Sequence, residues 1–492
     1  MTAKANISKS SYLAGLQCQK LLWHLRKEPK AIAKSDGDSN PAIEQGRQVG
    51  LYAQELFPGG VSIHWDVPFS ERIILTRDAI SRRAPIYEAA ISADGLYSQV
   101  DILTPAPGGR WDINEVKSST ECKDEHLPDI AFQRHACEAY GLKIRKCQLV
   151  RIDGSYVRTG GINPKKLFAF EDVTGRLDPH TKVIADNIAE MRKALNLKSA
   201  PEMRIGPHCS NPRGCPLTNK CWAYLPKYPV FDLYRGGKKT WQLFEDDVLG
   251  LPDIPDDFKP TAKQAIQISC AKKRKARVNP PGITAFLASL NYPLHFLDFE
   301  TINPAIPLFE GTKPYQQIPF QFSLHVIAKP GSKPVHTAWL AEGRGDPRPE
   351  FLKKLKSALG PHGNIVAYYM PFEKARMTEL AAHFTEHASW IRKAQQRFID
   401  LLNPFRRFDY HHPSQHGSCS IKAVLPAMTG KGYDGMAIAD GSAAADEFRR
   451  VTYGEVAEAE RQRVRRDLEK YCEQDTLGMV WIVDKLYQLA SI

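Results

Sequence analysis

Apolar and polar positions alternate along this chain in two rhythms, one helical and one extended. Residues 7–28 open with Ser8, Ser10 and Ser11. They continue through Tyr12, Leu13, Leu16, Leu21, Leu22 and Trp23, which predicts one capped amphipathic helix. Residues 30–41 are polar with Gly37 and Pro41 and predict a loop. A second helix is expected over 42–57, carrying Glu44, Gly46, Arg47 and Gly50, and stopped by Pro58–Gly59–Gly60. Short strands are expected near 61–65 and 86–91. Val100–Leu103 and Trp111–Lys117 follow the period-2 rhythm. The Pro- and Gly-rich segment Thr104–Arg110 separates them, as in a hairpin. Leu127–Leu142 reads as a helix with Gln133, Cys137 and Tyr140 on one face. Residues 144–152 read as a strand and 179–198 as a long helix.

The second half repeats the mixture. Leu294–Thr301 is an apolar strand ending in acids, and Pro319–Val326 is expected to pair antiparallel with it. Asn364–Tyr369 predicts a third strand, Pro371–Ala382 a helix, and Glu455–Leu489 a long helix. The fold class is therefore α/β.

A chain of 492 residues is long enough for two or three domains. Its hydrophobic content of 42% and charged content of 25% are those of an ordinary globular protein. It has no apolar run long enough to span a bilayer and no secretory leader, so a cytoplasmic location is expected. The formal net charge of +12 suits a polyanionic partner such as nucleic acid. Ala271–Arg277 is strongly basic and reads either as a solvated helix end or as a phosphate contact.

The hairpin carries the first candidate chemistry. Glu115 and Lys117 share one face of a strand while Val116 points the other way, and the hairpin brings Asp101 near them. Two carboxylates and a lysine can hold a divalent metal and activate a water; the same residues can form a surface salt bridge. Asp298 and Glu300 share a face by the same alternation, where burial costs desolvation unless a cation or water compensates. Tyr471 and Asp475 are four apart on a helix and share its face.

Ten cysteines in a reducing compartment point away from disulfides. Cys122, Cys137, Cys147, Cys270, Cys419 and Cys472 are scattered and read as packing residues. Cys209, Cys215 and Cys221 instead fall within 13 residues of Pro- and Gly-rich chain. With Cys18 as fourth ligand they make a four-thiolate iron–sulfur site. A zinc site completed by His208, or unligated thiols, are the alternatives.

Together these features resemble the iron-staple nucleases, the RecB-like branch of the PD-(D/E)XK superfamily. The resemblance covers roughly residues 7–225. It implies a 4Fe-4S cluster on Cys18, Cys209, Cys215 and Cys221 that ties the ends of the domain together. It implies Asp101 and Glu115 as ligands of Mg2+ or Mn2+, with the Val116 carbonyl available. Lys117 would orient the attacking water or stabilise the transition state, and Gln133 would match the family's helical glutamine. The tyrosine usual four residues later is Cys137 here, with Tyr140 as the substitute. Arg47 stands where an upstream acid or histidine is usual, which leaves Glu44 or Glu88. The C-terminal half resembles the DEDD exonucleases of RNase H-like fold. Asp298, Glu300 and Asp475 would be metal ligands and Tyr471 the tyrosine of the last motif. The middle motif departs, with Tyr369 for its asparagine and Glu373 for its aspartate; Asp400 is a reserve ligand.

The resulting expectation is a RecB-like PD-(D/E)XK domain over 1–228, a helical connector over 229–290 and an RNase H-like domain over 291–492. That order resembles a two-domain bacterial family of nucleases. It implies a metal-dependent nuclease acting on phosphodiester bonds of DNA, in repair or phage defence. The alternatives are a nucleic-acid-binding or assembly protein with degenerate sites, and an RNA-processing exonuclease.

Overall fold

The computed structural model describes residues 6–32 and 41–491, and these fall into two units. The first holds the described residues up to Tyr224 together with Pro304–Tyr315. It begins with β1 (Ile7–Ser8), α1 (Lys9–Gln17), α2 (Gln19–Lys27), α3 (Pro41–Gln54), β2 (Val61–Ser62) and α4 (Phe69–Ser81). Next come β3 (Ile86–Ala93), β4 (Leu96–Ala106), β5 (Arg110–Lys117), α5 (His126–Ala139) and β6 (Ile144–Ile152). It closes with α6 (Pro164–Leu167), β7 (Phe168–Asp172), α7 (Asp178–Asn196) and α8 (Thr218–Cys221).

One sheet runs β2-β3-β4-β5-β6-β7, with β1 added in parallel to β4. Asp94 and Gly95, both at positive φ, close the β3–β4 hairpin, as an Asp-Gly pair between apolar strands can do at little cost. Both faces of the sheet are covered. Ile113 packs with Ile130 and Phe132 of α5 and Ile184 and Ile188 of α7. Ile102 and Val150 pack with Val49 and Ala53 of α3 and with Ile306. Burial on both sides explains why β5 is buried at every position from Trp111 to Glu115, with no in-and-out alternation. Each large side chain buried there, such as Phe132, contributes about 2–3 kcal/mol.

The structure corrects several expectations. The helix expected over 7–28 is two helices, broken where Cys18 takes an extended backbone and leaves the α1 ladder to begin α2. The strand expected over 61–65 shrinks to Val61–Ser62. Helix α4 was not expected, because Phe69 and Ile74 lie exposed and blur its periodicity. Most of the loop expected at 30–41 lies outside the described residues.

The second unit comprises residues 225–303 and 316–491. Residues before its main sheet form α9 (Lys238–Glu245), α10 (Ala262–Lys273), β8 (Arg277–Val278) and α11 (Pro280–Leu287). Then follow β9 (Leu294–Ile302), β10 (Ile318–Ile327), β11 (Val335–Leu340), α12 (Arg348–Ala358), β12 (Asn364–Ala367) and α13 (Pro371–His383). The remainder is α14 (Ala388–Gln395), β13 (Phe398–Asp400), α15 (Asn403–Arg406), β14 (Tyr410–His411), α16 (Ile421–Thr429), α17 (Gly441–Tyr453) and α18 (Glu458–Ala490). The sheet order is β11-β10-β9-β12-β13. β9 and β10 pair antiparallel and β12 joins β9 in parallel. Leu294 and Phe296 pack with α11, α16 and α18, while Leu297 and Phe299 pack with α12 to α14. The alternation along β9 thus feeds two cores.

Both units mix strands and helices, as the α/β class requires. Among the described residues no helix is long and apolar enough to cross a membrane.

Two candidate active sites and a cysteine pocket

In the first unit the candidate site lies where the sheet forks. The β4–β5 ladder ends at Ile102 opposite Asn114, while β5 continues along β6 as far as Lys117. At the fork the Asp101 Oδ2 replaces the ladder and accepts from the Val116 N–H at 2.8 Å. Glu115 and Lys117 share a face, as alternation requires, and meet α5 there. Lys117 Nζ donates to Glu115 Oε1 and to Asp129 Oδ2, each at 2.7 Å. Gln133 Nε2 donates to Glu115 Oε2 at 2.6 Å and Asp129 Oδ1 at 2.9 Å. Lys9, the first residue of α1, adds a second ammonium 3.3 Å from both carboxylates.

Glu115 is 1% exposed and forms ion pairs with both Lys9 and Lys117. Burial opposes its ionisation, but Lys117, Lys9 and the bonds from Lys117 and Gln133 outweigh it and hold the carboxyl well below its usual range. The same carboxylates keep Lys9 and Lys117 firmly protonated despite burial. Asp101 moves the other way: burial, then Glu115, push it well up. Adjacent carboxyls are thereby set to opposite tendencies, one ionised and one reluctant to ionise.

Glu88 joins this cluster. Its carboxyl is raised by burial and by Glu115, and Gln99 Nε2 donates to it at 3.0 Å. It stands in mid-strand at φ +59, a conformation that L residues avoid. Glu44 instead pairs with Arg47 on an exposed helix face. Cys137 is buried in the core beside Cys147, and Tyr140 caps the end of α5. Lys9 and Asp129 were missed by sequence reasoning. Lys9 is 106 residues from Glu115, and no local pattern marks it.

The cysteines form a pocket of their own. Cys18, Cys209, Cys215 and Cys221 line one cavity with His208 and Trp222. The break at Cys18 aims its side chain toward the closing segment. Gln17, the residue before it, donates to the carbonyls of His208 at 2.9 Å and Arg213 at 2.7 Å. The Cys215 N–H donates to the Cys209 carbonyl at 2.8 Å, which folds the segment around the cavity. Burial, with the neighbouring thiols, raises Cys18 and Cys215. A cation that takes thiolates would relieve that cost. The donor set of four sulfurs fits either a cluster or zinc.

In the second unit Asp298, Glu300, Tyr471 and Asp475 line one cavity of about 170 Å³ with Lys422 and Tyr368. Asp298 and Glu300 come from β9, and α18 supplies Tyr471, Cys472 and Asp475. Asp298, Glu300 and Cys472 each place a ligand atom within 4.8 Å of the other two. Cys472, expected only to pack, donates its Sγ–H to Asp298 Oδ2 at 3.7 Å. Tyr433 donates to Asp475 Oδ1. Lys422 Nζ sits 5.3 Å from the Tyr471 ring centroid and 5.7 Å from that of Tyr433.

Burial first, and like charge second, set the titration here. Burial, then Asp475, raise Asp298; burial, then Asp298 and Asp475, raise Glu300. Asp475 is pushed up to about 6 by burial, against the pull of Tyr433 and Lys422. Both tyrosines are held as neutral phenols. Glu373, the first-turn acid of α13, is 2% exposed. Burial and then the Asp298 charge raise it, which brings it into the same field, and its Oε2 has no hydrogen-bond partner among the described residues. Asp400 accepts from the N–H groups of Tyr369 and Leu402, each at 3.0 Å, so its Oδ1 is engaged by backbone. Tyr369 lies at φ +77, half exposed, with Arg406 over its ring. Lys422 and Tyr433 had no sequence signal.

A family model, Domain of unknown function (DUF2779), matches residues 295–420. That stretch holds Asp298, Glu300 and Glu373 and ends just before α16. Among solved structures, one described as the crystal structure of SSO0001 is 12% identical to this chain. It covers 46% of this chain and 90% of its own, with a TM-score of 0.21. None of the curated proteins matches.

Proposed function

We propose that the chain is a metal-dependent nuclease that hydrolyses phosphodiester bonds of DNA, with a RecB-like centre in the first unit and a DEDD-type centre in the second. The observation that carries this reading is the gathering of the buried carboxyls of Asp298, Glu300 and Asp475 in one cavity. Buried carboxylates this close are costly without a cation, and they offer oxygen ligands suited to Mg2+ or Mn2+. Such an ion supplies Lewis acidity and lowers the pKa of a bound water. Glu373 adds a fourth carboxyl with a free oxygen. Tyr471, held neutral, presents an O–H to the cavity and can orient a nucleophilic water.

In the first unit Glu115 is ionised and Lys117 charged, so a ligand-type oxygen and a phosphate-compatible cation stand side by side. Lys117 would place its charge where a phosphoryl oxygen gains charge, and Gln133 fixes the Glu115 carboxylate. The finer fold assignments, PD-(D/E)XK and RNase H-like, belong to this proposal. So do a DNA partner, a cytoplasmic setting and a 4Fe-4S cluster on Cys18, Cys209, Cys215 and Cys221. The four cysteines line one cavity and supply the four sulfurs that such a cluster takes.

The test is Mg2+- or Mn2+-dependent cleavage of end-labelled single- and double-stranded DNA, with RNA in parallel. Lys117→Ala and Asp298→Ala assign the activity to one centre or the other. If the cluster-loaded chain leaves every substrate intact, the nuclease reading fails. Anaerobically purified protein should be brown and lose its colour in Cys215→Ala; stoichiometric zinc without iron would overturn the cluster.

One observation favours a second reading, a nucleic-acid-binding protein with a degenerate first site. Lys9 Nζ lies 3.3 Å from Glu115 and from Asp129, so a cation already stands at Glu115, one of the carboxylates a metal would use. Salt-sensitive DNA binding without turnover would support it.

A further inference from the structure

Three ligand-type side chains meet beside the second acidic cavity: His325 of β10, His336 of β11 and Glu473 of α18. One ligand atom from each lies within 4.8 Å of the other two. His325 and His336 are paired across the two strands, so their side chains share one sheet face, and their rings stack at 4.4 Å. His336 Nδ1 faces Glu473 Oε1 at 3.6 Å. An ion pair alone would explain that last contact. It does not explain the other nitrogens.

Each imidazole has its second nitrogen fixed by a hydroxyl. His325 Nδ1 lies 2.8 Å from Thr476 Oγ1, and His336 Nε2 lies 2.9 Å from Ser323 Oγ. The two hydroxyls are 2.7 Å apart, and Thr476 Oγ1 donates to the Glu473 carbonyl at 3.1 Å. One proton assignment satisfies all of these bonds. Thr476 gives its single hydrogen to the carbonyl and accepts from Ser323 and from His325 Nδ1–H. Ser323, having donated, accepts from His336 Nε2–H. That assignment leaves His325 Nε2 and His336 Nδ1 as the ring nitrogens available to a ligand. Hydroxyl-anchored neutral imidazoles are what a metal site needs in its outer shell.

We propose that His325, His336 and Glu473 bind a divalent transition-metal ion of the zinc class, at a site separate from both acidic centres. Two imidazoles and one carboxylate are a three-ligand donor set that leaves further positions for water. Bonds of about 2.1 Å require ligand atoms about 3.4 Å apart, within about 1.5 Å of the present spacing. The ion ties the sheet-edge strand β11 to α18. Thr476 and Cys472 lie one turn apart on α18; one holds His325 and the other Asp298. Occupancy therefore steadies the helix that presents Tyr471 and Asp475.

The test is cobalt(II) titration of the chelator-treated full chain, followed by visible absorption and calorimetry. Nitrogen- and oxygen-bound cobalt gives d–d bands without the intense thiolate charge transfer of the cysteine pocket. His336→Ala and Glu473→Gln, both solvent-accessible changes, should each weaken this binding at least tenfold with unchanged circular dichroism. Ser323→Ala should cost roughly 10–100-fold through its hydrogen bond to His336, and Asp298→Ala should leave the band in place. Wild-type affinity and spectrum in both His336→Ala and Glu473→Gln, or no such band in the wild type, would overturn the proposal. The readout is binding alone, so it stands or falls apart from nuclease activity.

Discussion

Lys117 illustrates how one residue changes meaning with its surroundings. An acid-x-lysine pair on an exposed strand is a weak salt bridge. Here Glu115 is 1% exposed, and Lys117 also donates to Asp129. On the proposed nuclease reading, Lys117→Ala should therefore lower metal-dependent DNA cleavage at the first site by roughly 10²–10³-fold, the cost of one preorganised charge donor. DNA affinity at fixed salt should fall far less; the ratio is read from single-turnover cleavage beside equilibrium binding. A second residue sets acid sensitivity. His411 is 1% exposed and stacks on Phe408. Burial, then His412, push its imidazole down to about 4. The folded state binds fewer protons than the unfolded chain between about pH 6.5 and 4. Its stability is therefore intact above that window and lost as pH falls through it. Between pH 7.5 and 5 the loss should be about 2 kcal/mol. Denaturant midpoints at those two pH values should show it, and His411→Phe should reduce the difference by that amount.

At the scale of elements, the strands that carry acids were legible because alternation is local. Asp298 and Glu300, or Glu115 and Lys117, declare a shared face within three residues. The pairing of β9 with β10 followed from two adjacent apolar runs. Elements defined by their partners were not legible. Strand β11 is exposed for most of its length and has no apolar rhythm. The break at Cys18 interrupts a continuous apolar stripe, and only the closing cysteines explain it. Lys9, Lys422 and Tyr433 reach their sites from distant elements, so spacing could not mark them; Asp129 stands four residues before Gln133 on α5, a spacing that could have marked it. Some turns carry stronger constraints than their sequence shows. Gly363 precedes β12 at φ +77, and a Cβ there would lie 1.9 Å from the Pro293 carbonyl oxygen. Gly363→Ala must strain the backbone and displace that carbonyl. It should destabilise the chain by about 2–4 kcal/mol, seen as a lower denaturant midpoint with unchanged slope.

At the scale of the whole molecule, the described residues fall into two units whose boundary is not a single cut in the chain. Pro304–Tyr315 belongs to the first unit although it lies between β9 and β10 of the second. Arg158 holds it through the carbonyls of Pro307 at 3.0 Å and Leu308 at 2.6 Å, and Gln45 accepts from the Ala305 N–H at 2.6 Å. Ile306 and Ala305 fill the core beside Val150 and Ile152. A fragment ending at residue 228 would leave that core open. It should unfold at lower denaturant than the first unit within the full chain, and bind a hydrophobic dye such as ANS. Equal stability of fragment and full chain would contradict this role for the segment.

The same excursion gives the chain a timetable. Residues up to Tyr224 leave the ribosome without the piece that completes their core. At roughly 5–20 residues per second, the wait for Tyr315 is about 5–20 s. Through that interval the apolar face beside Val49 and Ala53 stands uncovered, and it is closed only after β9 of the second unit has been made. Biogenesis of the two units is therefore interleaved: the first cannot finish before the second has begun.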